Sequence, residues 1–496
     1  MLETLDTFAR WGVLGSYFGA LCVLSAFGFH RWYLVFLYLR HRRDDVAPAG
    51  RFDELPALTV QLPLFNEMYV ARRLIDAVSA MDYPRDRIEI QVLDDSTDET
   101  RQIVAEHVST LRARGHDIVH IHRADRVGFK AGALAAGLES AKGELIAVFD
   151  ADFQPPPDFA ARLVHHFWDP GIGMVQARWG HLNPDHSALT RVQSMFLDGH
   201  FVIEQTARNR TGRFFNFNGT AGIWRRECID DVGGWQHDTL TEDLDLSYRA
   251  QMRGWRFLFL TDVVAPAELP VEMGAFKSQQ HRWAKGSIQT AKKLLPRILR
   301  GPLPLRVKVE SVVHLTANVG YLMMVLLALL VVPSMWLRRG VSAWTIAAFD
   351  LPVFTMSTLS VVAFYLVAQR EALGSWRGIV RWTPFLMSIG IGLSINNARA
   401  VVEALLGRGS AFLRTPKYNL AVGERAAGRR YRARTSGDTW IELALTFHFA
   451  VAISVAAAME LWASIPFLLL FEIGYGYTAI STIVQTAQRD LPSRAG

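Results

Sequence analysis

The apolar residues of this 496-residue chain are distributed unevenly, and no other sequence feature constrains its fold as strongly. They concentrate before about residue 40 and after about residue 310, while the segment between mixes polar and apolar positions. A run of about 20 apolar residues is long enough to cross a lipid bilayer. The pattern therefore predicts a water-soluble domain held between membrane segments, and the length allows two or three domains.

The first apolar stretch, residues 11–39, is followed directly by Arg40, His41, Arg42 and Arg43. Basic residues of this kind flank membrane spans on their cytosolic side. No signal-peptide cleavage site follows the stretch. We therefore expect a retained membrane anchor whose basic end, together with the domain that follows it, lies in the cytosol.

The net charge of +6 and the isoelectric point of about 9.3 are explained largely by the membrane segments. Many Lys and Arg residues flank the apolar stretches, and no nucleic-acid motif is present, so we expect no nucleic-acid partner. Of the two cysteines, Cys22 lies in an apolar stretch and Cys228 in the soluble region, so no disulfide is expected. This cysteine usage fits a reducing compartment.

The soluble segment alternates short apolar runs with helical patterns. Strands are predicted at 58–63, 88–93, 119–122 and 145–149, and helices at 70–81, 97–114 and 131–141. Such alternation is typical of an α/β domain with a mainly parallel sheet. Ligands of these sheets bind beyond the carboxyl ends of the strands, where this chain places several clusters of acidic residues.

The C-terminal part begins with a basic amphipathic stretch at 275–300, which predicts a helix at the membrane surface. Spans are predicted at 310–337, 345–368, 440–460 and 462–484. The stretch 384–406 is long enough to span, but it carries residues that are costly in lipid: Asn396, Asn397, Arg399 and Glu403. If it spanned, the Arg-rich loop after it would face outward, against the positive-inside rule. We therefore interpret 384–406 as interfacial or re-entrant, which gives five spans in total.

These segments divide the chain into six parts. We predict an N-terminal anchor at 1–43, a cytosolic α/β domain at 44–274, an amphipathic interfacial helix at 275–306, a hairpin of spans at 307–382, an interfacial or re-entrant segment with a cytosolic loop at 383–439, and a C-terminal hairpin of spans with a short tail at 440–496.

Two acidic motifs end predicted strands. Asp150 and Asp152 are two positions apart in an extended segment, so their carboxylates point the same way and could hold Mg²⁺ or Mn²⁺ together with a substrate diphosphate. Asp94 and Asp95 could accept hydrogen bonds from ribose hydroxyls or a base. The alternatives are a pair of solvated loop acids for the first motif and a helix N-cap for the second.

Three further patterns could carry chemistry. Glu242 and Asp243 follow a threonine at a helix start, where a carboxylate could act as a general base or simply cap the helix. In the amphipathic stretch, Arg282 can stabilise a diphosphate and Trp283 can stack on a sugar, although an ordinary surface helix remains the alternative. Lys130 could pair with a phosphate near a helix start.

In this order and before a membrane block, the motifs Asp-Asp, Asp-x-Asp, Thr-Glu-Asp and Gln-x-x-Arg-Trp resemble the processive enzymes of glycosyltransferase family 2, which include the cellulose synthases. The resemblance is greatest to the cellulose synthase-like A and C groups, which make mannan or glucomannan and glucan backbones. It runs through residues 61–67, 91–98, 149–153, 217–222 and 279–283. The segment 412–417 is similar to the gating loop of cellulose synthase, except that Arg414 stands where the family usually has Val.

The resemblance implies a GT-A-type nucleotide-sugar domain inserted between transmembrane helices, with about five spans plus interfacial helices. It also implies roles for individual residues. Asp94 and Asp95 would hold the nucleotide, and Lys130 would lie near the diphosphate. Asp150 and Asp152 would bind Mg²⁺ or Mn²⁺, with Asp150 also on the nucleotide. Asp243 would be the catalytic base, and Glu242 and Arg282 would be further catalytic residues. The acceptor would contact Asn218, Gly219 and Thr220; Gln279, Arg282 and Trp283 would hold the acceptor end and the diphosphate; and Thr415 and Lys417 would belong to the gating loop.

The implied activity is that of a membrane-embedded, processive, inverting hexosyltransferase. It would extend a β-linked polysaccharide, with β-1,4 linkage expected, from UDP-glucose or GDP-mannose and move the product across the membrane. The expected partners are the nucleotide-sugar donor, the growing polysaccharide and membrane lipid, and the expected location is the cell's inner or plasma membrane. A non-processive transferase acting on a lipid, as in the ceramide glucosyltransferases, is the first alternative, and a transporter or scaffold with an inactive domain is the second. The sequence indicates neither the donor nor the oligomeric state.

Overall fold

The computed structural model describes residues 2–44, 46–339, 341–376, 378–409, 414–420, 424 and 437–490. One mixed sheet forms the centre of the soluble part. Its strands are β1 (Leu58–Leu64), β2 (Ile88–Asp94), β3 (Ile118–His122), β4 (Leu145–Val148), β5 (Ile172–His181), β6 (Gly222–Arg225) and β7 (Arg256–Ala267). They lie in the order β3-β2-β1-β4-β6-β5-β7.

The first four strands are parallel, and β6 is the exception that reverses direction. β6 pairs antiparallel with both β4 and β5, whereas β5 pairs parallel with β7. Because Val148 at the end of β4 lies opposite Gly222 at the start of β6, the residues just before Gly222 are delivered to the carboxyl end of β4. The antiparallel strand thus adds a chain segment to the edge where parallel sheets bind ligands.

Helices cover both faces of this sheet, so nearly every residue of the central strands β1 and β2 is buried. On one face of β1, Leu58, Val60 and Leu62 pack into a large hydrophobic core. On the other face, Gln61 Nε2 donates a hydrogen bond to Gln91 Oε1 at 3.1 Å, which links buried amide side chains of neighbouring strands. The helices of this part are α2 (Ala71–Ser79), α3 (Thr100–Ala113), α4 (Phe129–Ser140), α5 (Phe159–Val164), α6 (Ala188–Asp198), α7 (Thr206–Arg210), α8 (Arg226–Asp231) and α9 (Glu242–Met252).

Long helices lie on either side of the sheet domain in the sequence. They are α1 (Leu2–His41), α10 (Met273–Arg300), α11 (Leu305–Thr316), α12 (Val319–Leu337), α13 (Ala343–Leu373), α14 (Thr383–Gly392), α15 (Ser394–Leu405), α16 (Asp438–Ala458) and α17 (Ile465–Asp490). By length and apolar composition, four stretches of the described chain could cross a membrane: Arg10–His41, Val319–Leu337, Asp438–Ala458 and Trp462–Ala487.

The helix pair α14 and α15 passes the same test only as a unit bent by 40°. Its polar residues are satisfied inside the protein: Asn396 Nδ2 donates to the Lys277 carbonyl of α10 at 2.9 Å, and Lys285 of α10 donates to Glu403 at 2.9 Å. Buried polar contacts of this kind fit a broken helix that packs on α10 better than one that faces lipid. α13 is not among the four helices that pass alone, so the predicted count of five spans stays a prediction.

The α/β fold predicted from the sequence is confirmed. In the first half of the sheet domain, the observed limits of the strands and helices are also close to the predicted ones. β1 to β4 and α2 to α4 begin and end within three residues of the predicted limits. β5, β6 and β7 were not predicted from the sequence, and β6 among them is the antiparallel strand.

Candidate functional site

A polar cavity of about 180 Å³ lies beyond the carboxyl ends of the parallel strands. It brings together most of the residues singled out in the sequence, although they come from seven different parts of the chain. Those among its lining are Asp95, Lys130, Asp150, Asp152, Asn218, Gly219, Glu242, Asp243, Gln279, Arg282, Trp283, Thr415 and Lys417.

Lys130 lies at the centre of one wall of this cavity. From the first turn of α4, its ammonium donates to Asp150 Oδ1 at 2.5 Å and to the Gly219 carbonyl at 2.8 Å. Burial alone would lower the pKa of Lys130, but Asp150 and Glu242 beside it raise that pKa above its usual value. Lys130 is therefore a fixed cation that joins the strand-end acids to the loop before β6.

Asp243 follows Glu242 at the start of α9 and faces the same loop. Its Oδ2 lies so close to Gly219 that a Cβ at that position would come within 3.1 Å, and Gly219 has a φ of +81°. Burial, together with the charge of Glu242, raises the pKa of Asp243 to about 7. Burial also raises the pKa of Glu242. A carboxylate with a pKa near 7 is suited to accept a proton at neutral pH.

Asp150 and Asp152 both carry oxygen donors suited to Mg²⁺ or Mn²⁺. Within the described residues no group of three His, Cys, Asp or Glu side chains could hold a metal ion, so a substrate would have to supply further ligands. Each carboxylate is paired with a cation: Asp150 with Lys130, and Asp152 Oδ2 with the Lys417 ammonium. These oxygen ligands thus fit a metal ion that binds together with a diphosphate. In this structure the Lys417 ammonium pairs with one of the two carboxylates, that of Asp152.

The segment 414–420 covers the cavity and is fastened to it by several polar contacts. Arg414 forms a two-pronged ion pair with Glu67, with Nε–Oε1 at 2.8 Å and Nη2–Oε2 at 2.9 Å. Arg73 donates to Asn419 Oδ1 at 2.6 Å, and the backbone N–H of Tyr418 donates to Glu268 Oε1 at 2.8 Å. Burial raises the pKa of Glu67 to about 7, which Arg414 opposes. Residues 412 and 413 of the predicted gating loop lie outside the described residues.

Two predicted site residues are adjacent to the cavity but do not line it. Asp94 is fully buried and accepts hydrogen bonds from the Ser96 backbone at 2.9 Å and, at 2.9 Å, from His120. Thr220 is also fully buried, and its Oγ1 accepts from the Asp150 backbone N–H at 2.9 Å. In this structure Asp94 orders the strand end and Thr220 orders the Asp-x-Asp segment, and their proposed ligand contacts stay predictions.

Asp95, the neighbour of Asp94, does line the cavity. It is held by Arg123, with Nε–Oδ1 at 2.8 Å and Nη2–Oδ2 at 2.6 Å. Nearby, the Arg126 guanidinium lies 3.4 Å from the centre of the Phe65 ring, and both residues line the cavity. This end of the cavity offers a flat cation on an aromatic ring next to a carboxylate, which suits the binding of a nucleoside.

The opposite end of the cavity is aromatic. Trp283 of α10 lies there beside Trp179 of β5, with ring centres 6.5 Å apart, and Gln279 and Arg282 complete that end. Burial lowers the pKa of Arg282, although Glu242 and Asp150 oppose the shift. Aromatic faces with polar groups at their edge are typical of carbohydrate sites.

Glu67, Arg126 and Trp179 also line the cavity, but the sequence had assigned none of them a role in the site. Glu67 lies inside a segment that carries the resemblance, so that match was a usable signal for it. Arg126 and Trp179 belong to no motif, and only the three-dimensional structure brings them to the site.

Comparison with known proteins agrees with this geometry. Residues 56–286 match the profile described as "Glycosyltransferase like family 2". The chain is 46% identical over 250 residues to glucomannan 4-beta-mannosyltransferase 2 of Arabidopsis thaliana, covering 49% of this chain and 47% of that protein. It is 40% identical over 290 residues to glucomannan 4-beta-mannosyltransferase 1 of Oryza sativa subsp. japonica, covering 56% of this chain and 54% of that protein. The chain thus spans about half the length of the curated relatives it matches.

Among solved structures, the chain resembles a mannosyltransferase from Pyrobaculum calidifontis in complex with GDP-Man and Mn²⁺. The TM-score is 0.51 and the identity 21%, covering 74% of this chain and 98% of that one. At this identity the likeness concerns the fold, and it confirms the GT-A-like arrangement of the sheet domain.

Proposed function

We propose that residues 56–286, which match the glycosyltransferase family 2 profile, are the catalytic domain of a processive, inverting transferase that extends a β-linked polysaccharide from a nucleotide sugar. One arrangement carries the proposal: Asp243, a carboxylate with a pKa of about 7, faces residues 218–220 before β6, the acceptor loop, in the same cavity as the strand-end pair Asp150 and Asp152. The first is suited to activate a hydroxyl, and the second to hold a diphosphate through a cation.

The reaction is a single displacement at the anomeric carbon. Asp243 takes the proton of an acceptor hydroxyl held between the acceptor loop and Trp283, and the hydroxyl oxygen forms the new bond to the anomeric carbon. The bond from that carbon to the diphosphate oxygen breaks on the opposite face, so an α-linked donor gives a β-linked product. Arg282 and Lys130, both in the cavity, stabilise the negative charge on the departing diphosphate. Asp150 and Asp152 would hold Mg²⁺ or Mn²⁺, which would supply further electrostatic stabilisation of that charge.

The mannosyl group is the sugar we propose. The two plant relatives described above carry the name glucomannan 4-beta-mannosyltransferase, and their identity to this chain is 46% and 40%. GDP-mannose is therefore the proposed donor and a β-1,4 bond the proposed linkage, with UDP-glucose as the competing donor.

We propose a polymer acceptor rather than a lipid acceptor because of the segment 414–420 and the helices around the site. The segment 414–420 covers the donor side, while α10 and the broken helix α14–α15 lie next to the acceptor side. Together with the candidate spans, this arrangement would let a chain leave the aromatic end of the cavity towards the membrane. We propose that the protein lies in the plasma membrane with its sheet domain in the cytosol.

The test uses membranes that contain the full chain. Membranes are incubated with Mn²⁺ or Mg²⁺ and with radiolabelled GDP-mannose or UDP-glucose, and label is counted in ethanol-insoluble and in lipid-extractable fractions. We expect insoluble label from GDP-mannose that endo-β-mannanase releases, and its loss in Asp243→Asn. Asp230→Asn, which changes a half-exposed carboxylate on α8, is the matched control and should keep activity.

The possible results separate the alternatives. Label found only in the lipid fraction would overturn the polymer proposal in favour of a glycolipid transferase. Insoluble label from UDP-glucose alone would overturn the choice of mannose. Full turnover in Asp243→Asn would remove Asp243 as the base.

A further inference from the structure

A π-helical segment, Gly199–Gln205, interrupts the otherwise continuous helix formed by α6 and α7. Such wide turns are rare, and they occur frequently at functional sites because the extra residue re-aims the side chains that follow. Three residues of this segment, His200, Phe201 and Gln205, contact groups that line the acceptor side of the cavity. No motif in the sequence pointed to them.

Two of these residues hold Asn218 by both ends of its amide. Asn218 Nδ2 donates to His200 Nε2 at 2.9 Å, and Gln205 Nε2 donates to Asn218 Oδ1 at 2.5 Å. The Asn218 backbone N–H donates to Gln176 Oε1 at 3.1 Å. The side chain and the backbone of this acceptor-loop residue are therefore both fixed before any sugar arrives.

The tautomer of His200 follows from its second contact. Its Nδ1 donates to Glu204 Oε2 at 3.0 Å, which leaves Nε2 as the acceptor that Asn218 needs. Glu204 is paired in turn with Arg208 at 3.2 Å, and Arg208 with Glu310 at 2.9 Å. Glu310 also contacts His30 of α1 at 3.1 Å, so this series of polar contacts ties the π-helical segment to the N-terminal helix.

The third residue, Phe201, supports an aromatic side chain of the cavity wall. Its ring centre lies 4.9 Å from that of Trp179, and Phe153 also packs on Trp179, edge-to-face, at 5.2 Å. Trp179 lines the cavity 6.5 Å from Trp283. The pair forms a continuous aromatic wall next to Asn218, and a sugar ring binds such a wall through its C–H face while its hydroxyls reach amide groups.

From this geometry we propose that Trp179 is a second acceptor-contacting residue beside Trp283, and that His200 and Gln205 are positioning residues that orient Asn218 towards the acceptor. The ligand of this subsite is the pyranose ring at the end of the growing glycan. The inference rests on the proposed function, because it assigns a sugar acceptor to that site. It extends the predicted acceptor residues to a segment outside every motif.

The experiment uses membranes that contain the full chain, supplied with Mn²⁺ and GDP-mannose. It measures the amount of mannose incorporated into product and the amount of GDP released. Water can replace the sugar acceptor, giving GDP and free mannose, so the ratio of sugar incorporated to GDP released reports how well the acceptor is held. We expect Trp179→Leu to lower this ratio about three- to tenfold, the effect of losing one stacking contact. Trp179→Phe should retain most of it, and the KM for GDP-mannose should stay unchanged in both variants.

His200 is tested by a pair of variants. His200→Ala removes the acceptor for Asn218 Nδ2 and should lower the ratio, while His200→Gln restores an acceptor atom and should recover much of it. Trp168→Phe, at a half-exposed position that packs on Phe52 outside the cavity, is the control and should behave as the unchanged protein. Binding of GDP with Mn²⁺ by every variant verifies that the donor side is folded.

A ratio equal to that of the unchanged protein in Trp179→Leu and His200→Ala would overturn the proposal. Loss of sugar incorporation and GDP release in the same proportion would overturn it too, since that result reports a structural defect. These outcomes differ from failure of the proposed function, in which the unchanged protein itself makes no polymer.

Discussion

Glu242 lies directly before the proposed base Asp243, and replacing it with glutamine tests how the site sets the basicity of that base. Burial contributes most to raising the pKa of Asp243 to about 7, and the neighbouring charge of Glu242 contributes next. Glu242→Gln removes that charge and nearly preserves the volume of the side chain. The pKa of Asp243 should therefore fall, while its position at the start of α9 is kept.

The size of the effect follows from the ionised fraction of Asp243. With a pKa of about 7, roughly half of the carboxylate is ionised at pH 7 and about one-tenth at pH 6, so transfer should fall about fivefold between them. The base must be ionised to act, so activity is lost as the pH falls through that pKa. In Glu242→Gln the acidic limb of the profile should move to lower pH, and the variant should keep more of its pH 7 rate at pH 6.

The assay measures sugar incorporation at saturating donor and Mn²⁺ from pH 5.5 to 8.5, for the unchanged protein, Glu242→Gln and a control. Glu106→Gln, on the exposed side of α3, changes the same charge far from the cavity and should leave the profile unchanged. An acidic limb at the same pH in Glu242→Gln would refute the electrostatic reasoning. A profile without an acidic limb near pH 7 would refute Asp243 as the titrating base.

Three further changes test separate contacts of the site. Lys417→Met removes the ammonium that pairs with Asp152. We expect the nucleotide-free variant to bind Mn²⁺ about tenfold more tightly, as measured by electron paramagnetic resonance. An unchanged affinity would show that Lys417 does not compete with the metal. Gly219→Ala places a Cβ 3.1 Å from Asp243 Oδ2 at a φ of +81°. The rate of sugar transfer should therefore fall at least tenfold, while GDP binding is retained. A normal transfer rate would contradict the close approach of Asp243 to Gly219. Arg414→Val breaks the ion pair with Glu67 and should raise the KM for the donor about tenfold. The double variant Arg414→Val/Glu67→Leu should recover part of this loss. An unchanged KM in the single variant would show that the ion pair does not hold the segment 414–420.

Local sequence patterns predicted the first half of the sheet well because each of its elements is read from a short window. Alternation of strand and helix is visible within about 30 residues, and parallel strands imply crossover helices between them. β5 is ten residues long, but its polar and aromatic end lines the site and breaks the apolar run. β6 has only four residues, too few for a periodic signal, and its antiparallel direction depends on the strands around it.

For the site, too, the residues that could be predicted depend on local sequence patterns, and the residues that were missed depend on contacts between distant parts of the chain. Acids at the ends of parallel strands converge by geometry, so Asp95, Asp150 and Asp152 were predictable from strand positions. The contact between Lys417 and Asp152 joins residues 265 positions apart, and no local pattern contains it. Trp179 and His200 were missed for the same reason, since their roles appear only when the π-helical segment is packed against β5 and the acceptor loop.

The charges around the cavity explain why metal and nucleotide should bind together. Among the described residues its lining contains six acidic side chains and five basic ones; the acids are Glu67, Asp95, Asp150, Asp152, Glu242 and Asp243, and the bases are Arg126, Lys130, Arg282, Arg414 and Lys417. Without a ligand, Lys130 and Lys417 already neutralise Asp150 and Asp152, so a free divalent cation gains little by entering. A nucleotide diphosphate brings about two further negative charges, which neither lysine can neutralise while it stays paired with an aspartate. If Lys417 moved to the diphosphate, it would leave Asp152 available to the cation, and the segment 414–420 that carries Lys417 would follow the nucleotide. Closure of this segment and metal binding are thus expected to depend on the same lysine.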